Sequence, residues 1–292
     1  MTEPTKAGEG LAVVKKPHVS PSQLDSYTRC GEAYRRRYVE REIIPPAFSM
    51  TKGSSVHTGQ EHDFRQKIET KVNLPKNEVV ELVAASFDGR IKAEGVLLTE
   101  AEESIGKAIV TGKAKDSTIR MAQKLSEAVG PKYQPLAVEV PFRIVLPGPR
   151  DLVGFIDLEL ENGFQDLKTG AKAKSQSDID GDVQFTTYAA AYQNLRGKPP
   201  EEIVIDNIID RVSPKTSKVT TEHIALKTLR GPADFKALAN RINTIVAGIT
   251  AGHFMPATPG AWWCSPKSCG YWRTCPMVNS ERRAAGEAAD EA

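Results

Sequence analysis

Two short stretches, Gly154-Phe-Ile-Asp157 and Asp166-Leu-Lys168-Thr-Gly170, decide the fold that we predict for this chain of 292 residues. The run 152–160 has the β-branched and aromatic content of a buried strand, and 163–168 follows it after a short turn. This pattern predicts an antiparallel hairpin. Successive side chains of a strand point to opposite faces, so Asp166 and Lys168 share one face while Leu167 points into the core. We therefore expect Asp157, Asp166 and Lys168 to converge on one spot.

This grouping of side chains suits the hydrolysis of a phosphodiester. A divalent cation held by carboxylates polarises the phosphate and lowers the pKa of a bound water, and a nearby ammonium neutralises developing negative charge. The alternative is a surface hairpin with solvated charges, because Asp and Lys are common beside turns. The residues around the hairpin favour the first interpretation.

Two helical segments supply that context. The stretch 182–195 has the apolar spacing of a helix, capped by Asp180 or Asp182, and it places Gln184 and Tyr188 on one face. Upstream, a helical stretch opens at Gly53 and carries His57, an imidazole suited to complete a metal site.

The ordered set of these motifs resembles the PD-(D/E)xK nucleases, and within them the RecB-like and Cas4-like branch, from about Ser20 to about Pro276. The resemblance implies an α/β fold with a restriction-endonuclease-like core, in which helices flank a mixed central sheet. It also implies a site built from a Mg²⁺ or Mn²⁺ ion, its ligands, a catalytic lysine and a helix motif beside them. The implied ligands are His57, Asp157, Asp166 and the backbone carbonyl of Leu167, the lysine is Lys168, and the helix motif is Gln184 with Tyr188. Glu139 matches a frequent acidic position of the family more loosely.

The four cysteines provide a second signal, since Cys30 stands alone and Cys264, Cys269 and Cys275 cluster near the other end. We find no signal peptide or membrane-length apolar run, so we expect a cytoplasmic protein without a membrane partner, in which disulfides are disfavoured. The arrangement matches a site that joins the two ends of the chain. The resemblance implies a [4Fe–4S] cluster, although the gap from Cys264 to Cys269 is longer than the family's usual two residues. A structural Zn²⁺ ion and buried free thiols are the alternatives.

Basic and aromatic residues alternate in one stretch that we predict to be helical, 27–41. A net charge of +2 is too small to indicate nucleic-acid binding by itself, so the distribution of charge matters more. Arginines can contact phosphates and tyrosines can stack on bases, and the alternative is a solvated, charged face. The predicted DNA-binding residues are Tyr34, Arg35, Arg36, Arg37 and Lys172.

The motifs are interleaved along the chain, so we predict one nuclease domain at 18–278. Within it we expect a helical insertion at about 75–130 and an iron–sulfur region made by residue 30 and segment 264–275. Segments 1–17 and 279–292 are expected to be a disordered N-terminus and a flexible tail.

Together these features predict a metal-dependent DNA exonuclease that acts on single-stranded ends in recombination, repair or replication. A structure-specific endonuclease on the same fold is one alternative, and a non-catalytic DNA-binding subunit of a recombination complex is another. We expect DNA as the main partner, with a recombinase, helicase, integrase or a second copy of the chain as protein partners.

Overall fold

The computed structural model describes residues 16–213, 216–278 and 281. The segments expected to be disordered, 1–17 and 279–292, lie almost wholly outside these residues. Among the described residues, no helix is both long and apolar enough to span a membrane.

The described strands form one mixed sheet. The strands are β1 (His18–Val19), β2 (Ala137–Ile144), β3 (Asp151–Leu160), β4 (Gly163–Gly170), β5 (Glu202–Val212) and β6 (Val219–Thr228). β3 runs antiparallel to β2 and β4 and parallel to β1, β5 runs parallel to β4, and β6 runs antiparallel to β5. The predicted β3–β4 hairpin is therefore confirmed.

Helices cover both faces of the sheet. They are α1 (Pro21–Arg29), α2 (Gly31–Tyr34), α3 (Phe48–Thr70), α4 (Lys76–Glu94), α5 (Glu100–Ile105), α6 (Lys107–Lys124), α7 (Gln176–Asp180), α8 (Val183–Arg196) and α9 (Pro232–Thr250). One core lies between the sheet and α1, α8 and α9, around Phe164 and Phe185. A second core lies between the opposite face and α3, α4 and α6, around Phe64 and Leu167. This arrangement confirms the predicted α/β class with helices on both sides of a mixed sheet.

The stretch 27–41, which we predicted to be one helix, is broken in the structure. α1 ends at Arg29, and Cys30 is extended with φ −161° and ψ 105°. α2 then begins at Gly31 and continues as a π-helical turn over Arg35–Val39. At this break the Gly31 N–H donates to the Met255 carbonyl at 2.7 Å, and an added Cβ at Gly31 would lie only 2.6 Å from the Met255 nitrogen. The tyrosines and arginines of this stretch consequently point in different directions.

Candidate active site and cysteine cavity

The two aspartates meet where strands β3 and β4 separate. Backbone pairing of the two strands ends at Leu158 with Gln165, and Asp157 and Asp166 occupy the next position of the same register. On the other side of β3, Glu139 is left out of the ladder and adopts φ 52°, a strained backbone conformation for a residue other than glycine. The strands thus open into a carboxylate-lined gap at this point.

A chain of hydrogen bonds links the hairpin to helix α8. The Lys168 ammonium contacts both carboxylate oxygens of Asp166, at 3.0 and 2.8 Å, and donates to Gln184 Oε1 at 3.0 Å. Gln184 Nε2 in turn donates to the Tyr188 hydroxyl at 2.8 Å. Gln184 on α8 and Asp166 on β4 therefore both hold the lysine.

Tyr188 is fixed by aromatic packing beneath this chain. Its ring makes edge contacts with Phe142 and Phe164, with centroids 6.0 and 5.9 Å apart. Phe142 lies over Gly154, where an added Cβ would come within 2.6 Å of the ring. Glycine at 154 thus lets the aromatic layer approach the strand that carries Asp157.

Burial sets the protonation of the two central groups. Asp166 is fully buried, and this burial, reinforced by the negative charge of Asp157, raises the pKa of its carboxyl to about 6 despite the attraction of Lys168. Burial alone would lower the pKa of Lys168, but the charges of Asp166 and Asp157 outweigh it, and the pKa is raised. Lys168 is therefore an ammonium at neutral pH.

His57 reaches the same spot from α3. Its Nε2 lies 2.9 Å from the backbone carbonyl oxygen of Leu167, and its Nδ1 lies 3.3 Å from Asp157 Oδ2. If Nε2 carries the hydrogen, the neutral ring directs a lone pair at a carboxylate oxygen. A bridging cation or proton stabilises such a pair of facing acceptors.

Two buried oxygens mark where a divalent cation would fit. Asp157 Oδ2 and Asp166 Oδ2 accept no hydrogen bond of good geometry, although His57 Nδ1 lies 3.3 Å from the first and Lys168 Nζ lies 2.8 Å from the second. A cation between them would offset the cost of burying these incompletely satisfied oxygens. Carboxylate, carbonyl and imidazole donors are a set that Mg²⁺ or Mn²⁺ accepts. As the side chains stand, no three His, Cys, Asp or Glu side chains in the described part of the chain have the spacing of metal ligands. Contacts at catalytic sites commonly tighten when ligands bind.

The sequence analysis did not predict a buried series of hydrogen-bonded side chains behind the site. Gln60, one turn after His57, donates to Gln165 Oε1 at 2.7 Å, and Gln165 donates to Asp206 Oδ2 at 3.0 Å. Asp206 Oδ1 lies 2.5 Å from His223 Nε2. This series ties α3, which carries His57, to the strand that carries Asp166. Its one signal in the sequence is an aspartate inside the apolar run 203–209.

All four cysteines line a single cavity, with Arg36, Tyr271 and Trp272 among the other lining residues. The cavity holds about 20 Å³, room for one particle of the size of water. The Cys30 sulfur caps α2 by accepting from the Ala33 N–H at 3.4 Å. Burial raises the pKa of the Cys269 thiol. The fold thus brings the distant Cys30 to the C-terminal cluster.

Two of the predicted DNA-binding residues are buried, so these predictions are wrong. Tyr34 is 2 % exposed and packs against Tyr27, Tyr38 and Phe254, so its ring cannot stack on a base. Arg36 is 7 % exposed, bonds to the Glu42 carboxylate at 2.6 and 2.7 Å and donates to Thr274.

The other three predicted DNA-binding residues lie nearer the solvent. Arg35 is half-buried and pairs with Glu32 and Glu40, which neutralise much of its charge. Arg37 and Lys172 are exposed, and their contact with DNA stays a prediction.

Comparisons with known proteins agree with this geometry. The sequence model of the PD-(D/E)XK nuclease superfamily matches residues 18–276. A crystal structure from Eubacterium rectale, named "Putative exonuclease", superposes with a TM-score of 0.52 and covers 93 % of this chain and 96 % of its own. Its sequence is 14 % identical, so the likeness shows a shared fold. No curated protein matches the chain in sequence. Because the family model spans most of the chain, this protein belongs to the PD-(D/E)XK nuclease superfamily.

Proposed function

We propose that the chain is a divalent-cation-dependent DNA exonuclease of the RecB-like and Cas4-like branch, acting on single-stranded ends. The observation that carries this proposal is the pair of incompletely satisfied oxygens of Asp157 and Asp166 beside the Lys168 ammonium. A protein that only bound DNA would gain nothing from two carboxylates that repel phosphate, one of them buried at a cost in stability.

His57, Asp157, Asp166 and the Leu167 carbonyl would hold the cation, which when bound polarises the scissile phosphate and acidifies a water molecule. Lys168, kept protonated by the two carboxylates, neutralises charge that develops on the phosphate oxygens. Gln184 and Tyr188 hold the lysine in place, so that it needs little reorganisation during the reaction.

Two observations support single-stranded ends as the substrate. Phe155 lies two residues before Asp157 on the same strand and is 54 % exposed, so its ring is available to stack on an unpaired base. The similar E. rectale protein carries the name of an exonuclease. The main alternatives are a structure-specific endonuclease and a non-catalytic subunit of a recombination complex.

Digestion of linear and covalently closed single-stranded DNA separates these functions. We expect Mg²⁺ or Mn²⁺ to support degradation of linear molecules, with closed circles cut slowly. Rapid cutting of circles would favour the endonuclease, and binding without cleavage under either metal would favour the non-catalytic subunit. Addition of a recombinase, helicase or integrase to the same assay tests the proposed partners.

We propose further that the four cysteines hold a [4Fe–4S] cluster as a structural link between Cys30 and the C-terminal segment. The convergence of four thiols on one cavity supports a thiolate-bound metal site. A single Zn²⁺ ion is the alternative, and the small volume of the cavity is in keeping with one ion. Brown protein containing iron and sulfide supports the cluster, whereas colourless protein with one zinc per chain supports the alternative.

A further inference from the structure

A second cavity lies beside the catalytic hairpin, at the junction of α1, α8 and α9. It has a volume of about 400 Å³ and includes the start of α8 and Gln184 in its lining. Three basic side chains line it from three separate segments: Arg29 at the end of α1, Lys174 after β4 and Arg241 on α9. We refer to this cavity as the basic cleft.

The basic cleft adjoins the active site through one side chain. Gln184 lines the cleft and also accepts the hydrogen bond from Lys168. A group bound in the cleft therefore lies one side chain away from the lysine. A volume of this size falls within the range of ligand pockets and accommodates about one nucleotide unit.

The charges of the cleft favour an anion over a neutral ligand. Asp25 and Asp182 are its acidic lining residues, which leaves the three cations in excess by one. Lys174 pairs with Asp182 at 2.6 Å, and Asp182 is largely buried, so Arg29 and Arg241 are the cations more available to an anion. Arg29 pairs with Asp25 at 3.0 Å, but both side chains are about half exposed. Exposed pairs of this kind contribute little to stability, so a phosphate can displace the aspartate at small cost.

We propose that the basic cleft binds a backbone phosphate of the nucleic-acid strand next to the scissile phosphate. The inference rests on the proposed nuclease function for the identity of the strand. The inference adds a second contact with the strand. The cleft would hold one phosphate while the scissile phosphate lies beside Asp166 and Lys168. Arg29 and Arg241 are the residues on which the test depends, because both lie outside the catalytic chain of hydrogen bonds.

The test measures binding of a fluorescent single-stranded DNA oligonucleotide by anisotropy in EDTA, where no cleavage can interfere. The Arg29→Ala/Arg241→Ala variant of the full chain is compared with wild type across a series of salt concentrations. Arg90→Ala is the matched control, because Arg90 also forms an exposed pair four residues along a helix, with Glu94, but lies on α4. Asp25→Asn tests for tighter DNA binding, because it removes a competing carboxylate and keeps all three cations.

We expect the double variant to bind about tenfold more weakly or worse. The slope of log affinity against log salt should fall in magnitude by about 0.7 for each cation removed. Asp25→Asn should bind more tightly, and Arg90→Ala should bind as wild type does. Unchanged affinity in the double variant, or an equal loss in Arg90→Ala, would overturn the inference. Suppose that the wild type cleaves DNA and that the double variant binds DNA as tightly as the wild type does. Only the assignment of the cleft then fails. A wild type that neither binds nor cleaves DNA would contradict the proposed function itself.

Discussion

Replacing Asp166 by asparagine is expected to stabilise the metal-free protein while removing its activity. The wild-type carboxylate is fully buried, and its Oδ2 accepts no hydrogen bond of good geometry, although the Lys168 ammonium lies 2.8 Å away. Asparagine keeps an oxygen that can accept from Lys168 but carries no charge to bury. Burying the ionised Asp166 carboxylate therefore destabilises the metal-free fold, and a bound cation would offset this destabilisation.

The magnitude follows from the raised pKa of Asp166. A change from 3.8 to about 6 means that ionisation at neutral pH costs the folded state about 3 kcal/mol, at about 1.4 kcal/mol for each pH unit. The folded state binds the proton more tightly than the unfolded state, so the cost is absent below the unfolded pKa and grows as pH rises. By linkage it amounts to about half of that value at about pH 5 and reaches its full value above about pH 7.

Thermal unfolding in EDTA measures this difference. We expect Asp166→Asn to melt several degrees above wild type at about pH 7.5, since about 1 kcal/mol shifts the Tm of a domain of this size by roughly 2–4 °C. The gap should narrow toward about pH 5. Asp88→Asn serves as the control, because Asp88 is an exposed partner of Lys115 and should leave the Tm nearly unchanged. A variant at Asp166 that melts below wild type, or a gap independent of pH, would refute the reasoning.

Three further outcomes are expected. Lys168→Ala should lower cleavage by roughly a hundredfold or more, because it removes a charge aimed at the phosphate; circular dichroism should show an intact fold, and near-wild-type turnover would remove Lys168 from the mechanism. Tyr34→Ala should destabilise the fold by about 3–5 kcal/mol in urea unfolding, because it empties a core position, whereas Arg37→Ala should not; equal effects would contradict the burial of Tyr34. Cys30→Ser should both lower the metal content found by elemental analysis and lower the Tm, since the site closes a long loop; unchanged metal content would exclude Cys30 as a ligand.

The β3–β4 hairpin could be predicted because its signals are local. Alternation along a strand and a short turn determine the side on which Asp166 and Lys168 point, and helical spacing determines that Gln184 and Tyr188 share a face. The structure brings Lys168 within 3.0 Å of Gln184. The number and spacing of the cysteines predicted a shared site, and all four line one cavity in the structure. A bound metal or cluster there stays a prediction.

The surface around the site could not be predicted, because it depends on contacts that are distant in sequence. Tyr34 is buried by Phe254, and Arg36 bonds to Thr274, more than two hundred residues away. The sequence of a run of arginines and tyrosines does not reveal whether residues from distant segments bury it. The basic cleft has the same origin, since Arg29 and Arg241 come from opposite ends of the chain.

The most direct test of the account is digestion of end-labelled single-stranded DNA by wild type and by Asp166→Asn, with Mg²⁺, Mn²⁺ or EDTA. We expect wild type to shorten the DNA with either metal and to leave it intact in EDTA, and we expect the variant to be inactive throughout. Cleavage by wild type in EDTA, or cleavage by Asp166→Asn at the wild-type rate, would contradict a cation site built on the Asp157–Asp166 gap.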